Sequence, residues 1–272
     1  MIEIPIYLII LILLGLLTGF FGAMLGLGGG FIIVPALMLL AGFDAHHAIG
    51  TSMAAILFTG FPAAFAYHRQ GRLDWGLALV AETTTMPGSF LGAVLTGLIA
   101  PDPLKILFSI FLIALALSMI LRKNSQSSGK AARRGGGIAV WRRVLSDSRG
   151  ELFTYSVDLL KLLPASFLAG IVSGFFGVGG GTIKVPMLYH LGAPMHVAIA
   201  TSTLMIALTA ISGTIGHLLL GHVKLIELLA LAPGIIAGTQ LGASTAWRIR
   251  SPTLRIIFSL ALIITAMILL VR

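Results

Sequence analysis

The chain contains no cysteine among its 272 residues, which excludes disulfides, thiolate metal sites and cysteine nucleophiles. Charge is scarce as well. Asp, Glu, Lys and Arg make up 10% of the residues, against about 25% in an ordinary soluble domain. Only nine residues are acidic. No Ser-His-Asp set, no pair of carboxylates placed for acid-base work and no His-Glu-x-x-His zinc spacing can be assembled from this sequence. Nothing in it calls for a catalytic centre, a resident metal or another cofactor, and the chain reads as a non-enzyme.

What is abundant is apolar. Hydrophobic residues make up 57% of the chain and the mean hydropathy is +1.04, the composition of an integral membrane protein. A hydrocarbon core of about 30 Å requires about 20 apolar residues per helix. Suitable runs lie near 5–25, 48–67, 75–100 and 104–121, and again near 157–178, 197–220, 225–247 and 253–271. They predict an all-α fold of about eight transmembrane helices. The first run has only Glu3 before it and no small-residue cleavage site, so it reads as a span and not as a signal peptide.

A net charge of +9 would suit nucleic acid if the basic residues formed a surface, but eight of the eighteen lie in one short segment. Arg122, Lys123, Lys130, Arg133, Arg134, Arg142, Arg143 and Arg149 face a single acid there, Asp147. Such a segment is retained in the cytoplasm, where anionic lipid would attract it. The expected partners are therefore the bilayer and a small solute, with no nucleic acid; a homodimer remains open. With the segment inside, counting back through the spans puts the Asp102 loop outside, His68 to Arg72 inside, Asp44 outside and the N-terminus inside. Counting forward puts Lys224 inside but Arg248, Arg250 and Arg255 outside, against the charge rule.

The sequence repeats itself. Gly26-Leu27-Gly28-Gly29-Gly30-Phe31-Ile32-Ile33-Val34-Pro35 returns 151 positions later as Gly177-Val178-Gly179-Gly180-Gly181-Thr182-Ile183-Lys184-Val185-Pro186. His46 to Ser52 returns as His196 to Ser202, Gly71 as Gly221, and Pro87-Gly88 as Pro233-Gly234. The predicted organisation is a first four-helix repeat over 1–121, a basic cytoplasmic linker over 122–156 rich in Ser, Gly and Arg, and a second four-helix repeat over 157–272. Four crossings per half would give parallel repeats, whereas a broken segment that re-enters would invert them.

The glycine runs disfavour a helix by about 1 kcal/mol per residue relative to alanine, and each lies within an apolar stretch, so both predict a helix break. Matched breaks in two halves point to a transporter's binding site. Backbone groups freed there must face protein or a polar cavity, and a helix resuming at Phe31 or Thr182 would present a partly positive N-terminus to an anion. Close helix packing through small residues, or a loop at the membrane edge, would explain one glycine run as well, but accounts less readily for two matched copies. A phosphate-binding loop of the Walker type is excluded, because no Lys-Ser/Thr follows Gly28-Gly29-Gly30. Thr51-Ser52 and Thr201-Ser202 could donate hydroxyls to the same anion or cap their own helices. Glu82 stands about 10 Å inside the third span, where an ionisable residue is functional by default; a coupling proton and a structural pair are both open. Lys184 replaces Ile33 of the first copy and either adds positive charge at the second break or extends to the interface.

The duplicated Gly-x-Gly-Gly-Gly-x-Ile-x-Val-Pro, each copy followed by His-x-Ala-Ile-x-Thr-Ser, resembles the TauE/SafE sulfite exporter family across about residues 8–121 and 160–271. The resemblance implies an inner-membrane, multi-pass secondary transporter, exporter or permease, for sulfite, sulfonates or related small organosulfur anions. Carried over to this sequence, its substrate-binding residues would be Gly28, Gly29, Gly30, Thr51, Ser52, Gly179, Gly180, Gly181, Thr182, Thr201 and Ser202, to which the residues themselves add Lys184 and, for proton coupling, Glu82. A passive anion channel is the nearest rival, and a membrane-embedded enzyme or assembly factor a more distant one.

Overall fold

The computed structural model describes residues 4–121, 139–148, 150–245 and 252–271. Ten helices and one hairpin occupy them. The first half contributes α1 (Ile4–Leu25), α2 (Gly30–Leu40), α3 (Ala45–Arg69), α4 (Trp75–Gly97) and α5 (Pro101–Leu121). The second contributes α6 (Leu159–Phe176), α7 (Gly181–His190), α8 (Met195–Leu219), α9 (Leu225–Thr245) and α10 (Pro252–Val271). Asp44 and Asp74 start α3 and α4 by accepting the backbone N–H of His47 and Leu77 at 2.9 and 3.0 Å, the usual satisfaction of a helix's first free amides. Among the described residues, six helices are long and apolar enough to cross a membrane. Large apolar side chains such as Ile9, Leu13 and Leu17 on α1 remain exposed, as a lipid-facing surface requires.

The segment between the halves is more ordered than its composition suggests. β1 (Val140–Ser146) and β2 (Leu152–Asp158) form an antiparallel hairpin, with Arg143 opposite Tyr155, and β2 leads directly into α6. The hairpin docks on the α3–α4 loop: Arg72 pairs with Asp147 at 3.3 Å, and the Ser148 N–H donates to Gln70 O at 3.0 Å. Lys123, Lys130, Arg133 and Arg134 of the predicted linker lie outside the described residues.

Glycine determines how the long helices pair. On α1, Gly15 and Gly19 meet the backbone of Leu231 and Ile235 of α9, and Gly234, Gly238 and Gly242 meet Ile12, Leu16 and Phe20 in return. The numbers rise together, so the two helices are parallel. Gly88 and Gly92 of α4 meet Phe167 and Ile171 of α6 in the same way, with Gly170 and Gly174 against Thr85 and Ser89. Period-four glycine lets membrane helices approach until their backbones touch. The partners are exchanged between halves, each first helix packing on the other half's α4 or α9.

α3 and α8 cross the centre antiparallel, with Gly50 against His222, Met53 against Gly213 and Gly60 against Ala207. Their ends define two faces. The hairpin, the α3–α4 loop and the start of α8 share one, because the Asp74 N–H donates to Thr201 Oγ1 at 3.1 Å. The start of α3 and the α8–α9 loop share the other, because the Lys224 N–H donates to Thr51 Oγ1 at 2.9 Å. Since α1 runs parallel to α9, its N-terminal end lies on this second face.

Two expectations are thereby corrected. The N-terminal end of α1 lies opposite the hairpin, and Lys224 does too, whereas the counted spans placed both on the hairpin's side. The reason is local: Leu27 N and Gly28 N bond back to Gly22 O, the would-be Cβ of Gly29 falls on Thr18, and α2 returns toward the face from which α1 set out. Thr245, after which the sequence carries Arg248 and Arg250, ends on the hairpin face. Arg248 and Arg250 themselves lie outside the described residues.

Candidate functional site where the two glycine breaks meet

Both breaks terminate a long helix and start a short one in the same way. Gly29 and Gly180 take φ of 86° and 72° at the N-cap of α2 and α7, a left-handed conformation costing an L side chain roughly 1–2 kcal/mol. Neither cap carries a side-chain hydrogen bond. Gly28 and Gly179, also at positive φ, both pack on Ile56 of α3 and Ile206 of α8, so the two breaks cross at the middle of the central pair.

Gly30 and Gly181 have ordinary φ and are required for space instead. A Cβ on Gly30 would lie 2.7 Å from Val178 Cα, and one on Gly181 2.7 Å from Leu27 Cα, with the carbonyl oxygens of Gly177 and Gly26 nearer still. The carbonyls turned inward at the break are held by serine. Ser52 donates to Gly177 O at 2.8 Å; Ser202 donates to Gly26 O at 3.3 Å and to Ile199 O at 2.8 Å. Thr51 and Thr201, both fully buried, accept the loop amides described above. The structure thus gathers the glycines and both serines at one crossing and places the two threonines one residue away, as ties to the neighbouring loops.

Lys184 and Glu82 do not act at the interface. Lys184 is fully buried and Glu82 3% exposed, and Nζ donates to Glu82 Oε1 at 3.0 Å, to Met205 O at 3.0 Å and to Thr209 Oγ1. Thr209 Oγ1 in turn lies 2.9 and 2.8 Å from the two Glu82 oxygens. All three ammonium protons are used. Beside the second break, the buried hydroxyls of Ser173 and Thr182 have no hydrogen-bond partner among the described residues. An orphan buried hydroxyl is costly unless something supplies the missing partner.

Two polar assemblies at the faces lay beyond the sequence reading. On the hairpin face Asp74, 1% exposed, accepts from Arg143 Nε at 2.8 Å and from Tyr155 Oη at 2.6 Å. Burial alone would raise this carboxyl, but the Arg143 and Tyr155 hydrogen bonds outweigh it and hold it below the ordinary carboxylate range. On the opposite face His217 Nε2 meets Gly174 O at 2.9 Å, so that nitrogen donates, and Nδ1 lies 3.2 Å from Nδ1 of His222. His46 stacks on His222, whose imidazole burial, aided by His46 and His47, pushes down to about 4. His217 therefore ties α8 to the last turn of α6, and His68 accepts from Trp75 Nε1 at 3.1 Å, tying the end of α3 to the start of α4. No set of three or more His, Cys, Asp or Glu side chains positioned for a metal occurs among the described residues.

Exposed apolar faces on helices of membrane-spanning length, with two helix breaks that meet between α3 and α8, define a multi-pass membrane protein. The sulfite exporter TauE/SafE family model matches residues 11–269, and the chain belongs to that family. It is similar to the probable membrane transporter protein YunE of Bacillus subtilis, 35% identical over 264 residues and 94% of each chain. Against the probable membrane transporter protein MJ0441 of Methanocaldococcus jannaschii it is 26% identical, over 94% of this chain and 93% of that one. Sulfite exporter TauE/SafE family protein 6 of Arabidopsis thaliana matches 53% of this chain at 31% identity, through 32% of its own length. No solved structure matches. The chain is a membrane transporter of this family and not an enzyme.

Proposed function

We propose that the chain is a secondary transporter of sulfite, sulfonate or related small organosulfur anions across the inner membrane, working by alternating access around the crossing of the two breaks. The observation that carries this reading is that the breaks meet: two uncapped helix N-termini, α2 and α7, start at one buried point between α3 and α8, and partial positive charge there suits an anion. The family name supplies the organosulfur class.

The same reading takes the chain as two repeats of inverted topology with eight membrane-crossing helices, α2 and α7 being re-entrant. The antiparallel α3 and α8 and the exchanged pairs α1–α9 and α4–α6 support it. It also places the hairpin face in the cytoplasm. Then Arg72, Arg142 and Arg143 lie inside, and the helix leading to Arg248 and Arg250 ends inside, so the excess of positive charge there obeys one rule in both halves.

The test is uptake of radiolabelled sulfite and of a labelled sulfonate by the purified protein in proteoliposomes with an imposed proton gradient. Accumulation above equilibrium is the expected result. Flux that only dissipates a gradient would convert the reading to a channel, and no flux of either anion would remove the organosulfur assignment.

A further inference from the structure

The Lys184–Glu82 pair has a feature that a purely structural ion pair does not require. Its surroundings hold more hydrogen-bonding capacity than the pair uses: Thr209 already serves both Lys184 and Glu82, yet Ser173 and Thr182 stand unpartnered among the described residues beside the break from which α7 starts. Gly180 lies between them, its would-be Cβ 3.3 Å from Ser173 Oγ and 3.2 Å from Lys184 Cε. The lysine is thus continuous with the break, and its carboxylate partner comes from a different helix, α4, across the crossing.

Resting on the transporter reading, we infer that Glu82 is the resident occupant of the anion site: a monovalent anion displaces its carboxylate from Lys184, and Glu82 accepts one proton as it leaves. The charge count requires the proton. With the pair intact the site holds one positive and one negative charge. An anion added beside an ionised Glu82 leaves the buried site with a net negative charge, which a low-dielectric interior penalises heavily. With Glu82 protonated, Lys184 and the anion balance again. A protonated carboxyl is also a hydrogen-bond donor, so it can turn toward a backbone carbonyl or the anion itself. One anion and one proton then occupy the site together. A dianion would leave it negative, so hydrogensulfite or a sulfonate is the fitting charge state, and the sulfite dianion is not.

Calorimetric titration of the full chain in detergent with methanesulfonate, whose charge is fixed at minus one, tests this without any mutation. Run in two buffers of different ionisation enthalpy, the wild type should take up about one proton per anion bound, and its affinity should weaken about tenfold per pH unit above the Glu82 titration. Glu82→Gln should bind methanesulfonate with no proton uptake and no pH dependence. Because Glu82→Gln leaves a buried lysine unpaired and could fail to fold, Glu82→Gln/Lys184→Met provides a neutral partner variant, which should fold and lose binding at least tenfold. Zero proton uptake by wild type that still transports overturns the exchange while leaving the transporter reading intact. Binding by the double variant at wild-type strength also overturns it. Failure of the wild type to bind methanesulfonate or hydrogensulfite, with no flux of either, overturns both readings.

Discussion

Alanine at Gly30 or Gly181 should separate the two breaks, and the structure sets both the size and the coupling of the effect. The added Cβ would lie 2.2 Å from Gly177 O at Gly30 and 2.4 Å from Gly26 O at Gly181, so the backbones must part by about 1.0–1.2 Å to reach the 3.4 Å where ordinary contact begins. Backbone cannot rotate out of the way as a side-chain tip can. Overpacking of this kind costs about 1–3 kcal/mol, a fall of roughly 2–10 °C in Tm for a chain of this size. Both substitutions push apart the same two segments. Once one has opened the crossing the other fits without further cost, so Gly30→Ala/Gly181→Ala should cost clearly less than the sum of the singles. Gly42→Ala is the control: φ is +67° there but nothing lies within 4 Å of the new methyl, leaving only the conformational cost of about 1–2 kcal/mol. Thermal unfolding in detergent and labelled sulfite flux in proteoliposomes measure the two consequences. Flux should fall about tenfold or more in each single variant and stay near wild type in Gly42→Ala. Additive costs in the double variant, or wild-type flux in Gly181→Ala, would refute a functional contact between the breaks.

Four further outcomes follow from particular bonds. Ser52→Ala leaves Gly177 O buried without its hydroxyl and should cost about 1–3 kcal/mol, whereas Ser202, bonded more closely to Ile199 O than to Gly26 O, should cost less; the reverse order of Tm would contradict these roles. Thr59 is buried with an unpartnered hydroxyl, so Thr59→Val should raise stability by about 1 kcal/mol, while Thr209→Val, which strips Glu82 of a donor, should lower it. A topology reporter fused at Gly136 should read cytoplasmic and one at the N-terminus external, against a simple alternation of spans. Asp74 is held below its ordinary carboxyl value, so its hold on the hairpin is present above about pH 4 and lost as pH falls through the lowered value; the protection of amides over 140–158, relative to their intrinsic exchange rate at each pH, should fall on acidification, and Arg143→Met should reproduce that loss at neutral pH. Protection insensitive to both would detach the hairpin from Asp74.

The membrane class and the breaks were legible because each rests on composition within one stretch: apolar runs of spanning length, and glycines too dense for a helix. The direction of the chain after the break was not. Whether α1 is followed by a crossing or a return depends on Gly22 and Thr18 receiving Gly29, contacts that leave no separate mark in the motif. Helix pairing did have a signal, the period-four glycines at 88/92, 170/174 and 234/238/242, which glycine counting aimed at breaks passes over. Lys184 and Glu82 stand 102 positions apart, so no spacing rule joins them; two opposite charges in apolar spans were the available hint, since neither is affordable alone. The hairpin was hidden by its setting, because β1 alternates acceptably for a strand, Trp141, Arg143 and Leu145 turned inward, inside a segment whose Ser, Gly and Arg content reads as a linker.

The two halves are alike in backbone and unlike in charge, and the difference is systematic. At the 151-residue offset Gly22 corresponds to Ser173, Phe31 to Thr182 and Ile33 to Lys184, so each polar group around the second break faces an apolar counterpart at the first. Thr209 corresponds to Thr59 in the next helix, where the hydroxyl is buried with nothing to bind. Had both breaks held a lysine, the crossing would concentrate two buried positive charges. Had neither, only helix dipoles would attract an anion, an effect typically worth 0.3–1 kcal/mol. One buried charge pair off the central axis avoids both limits, and it leaves the two halves unequal. Glu82 stands about 10 Å along α4 from its start at the hairpin face, and α7, which carries Lys184, runs from the crossing toward that same face. A proton reaching Glu82 from the hairpin side therefore crosses less protein than one coming from the other, so protonation of the pair should be faster from that side, while the direction of any net flux is set by the gradients and not by this geometry.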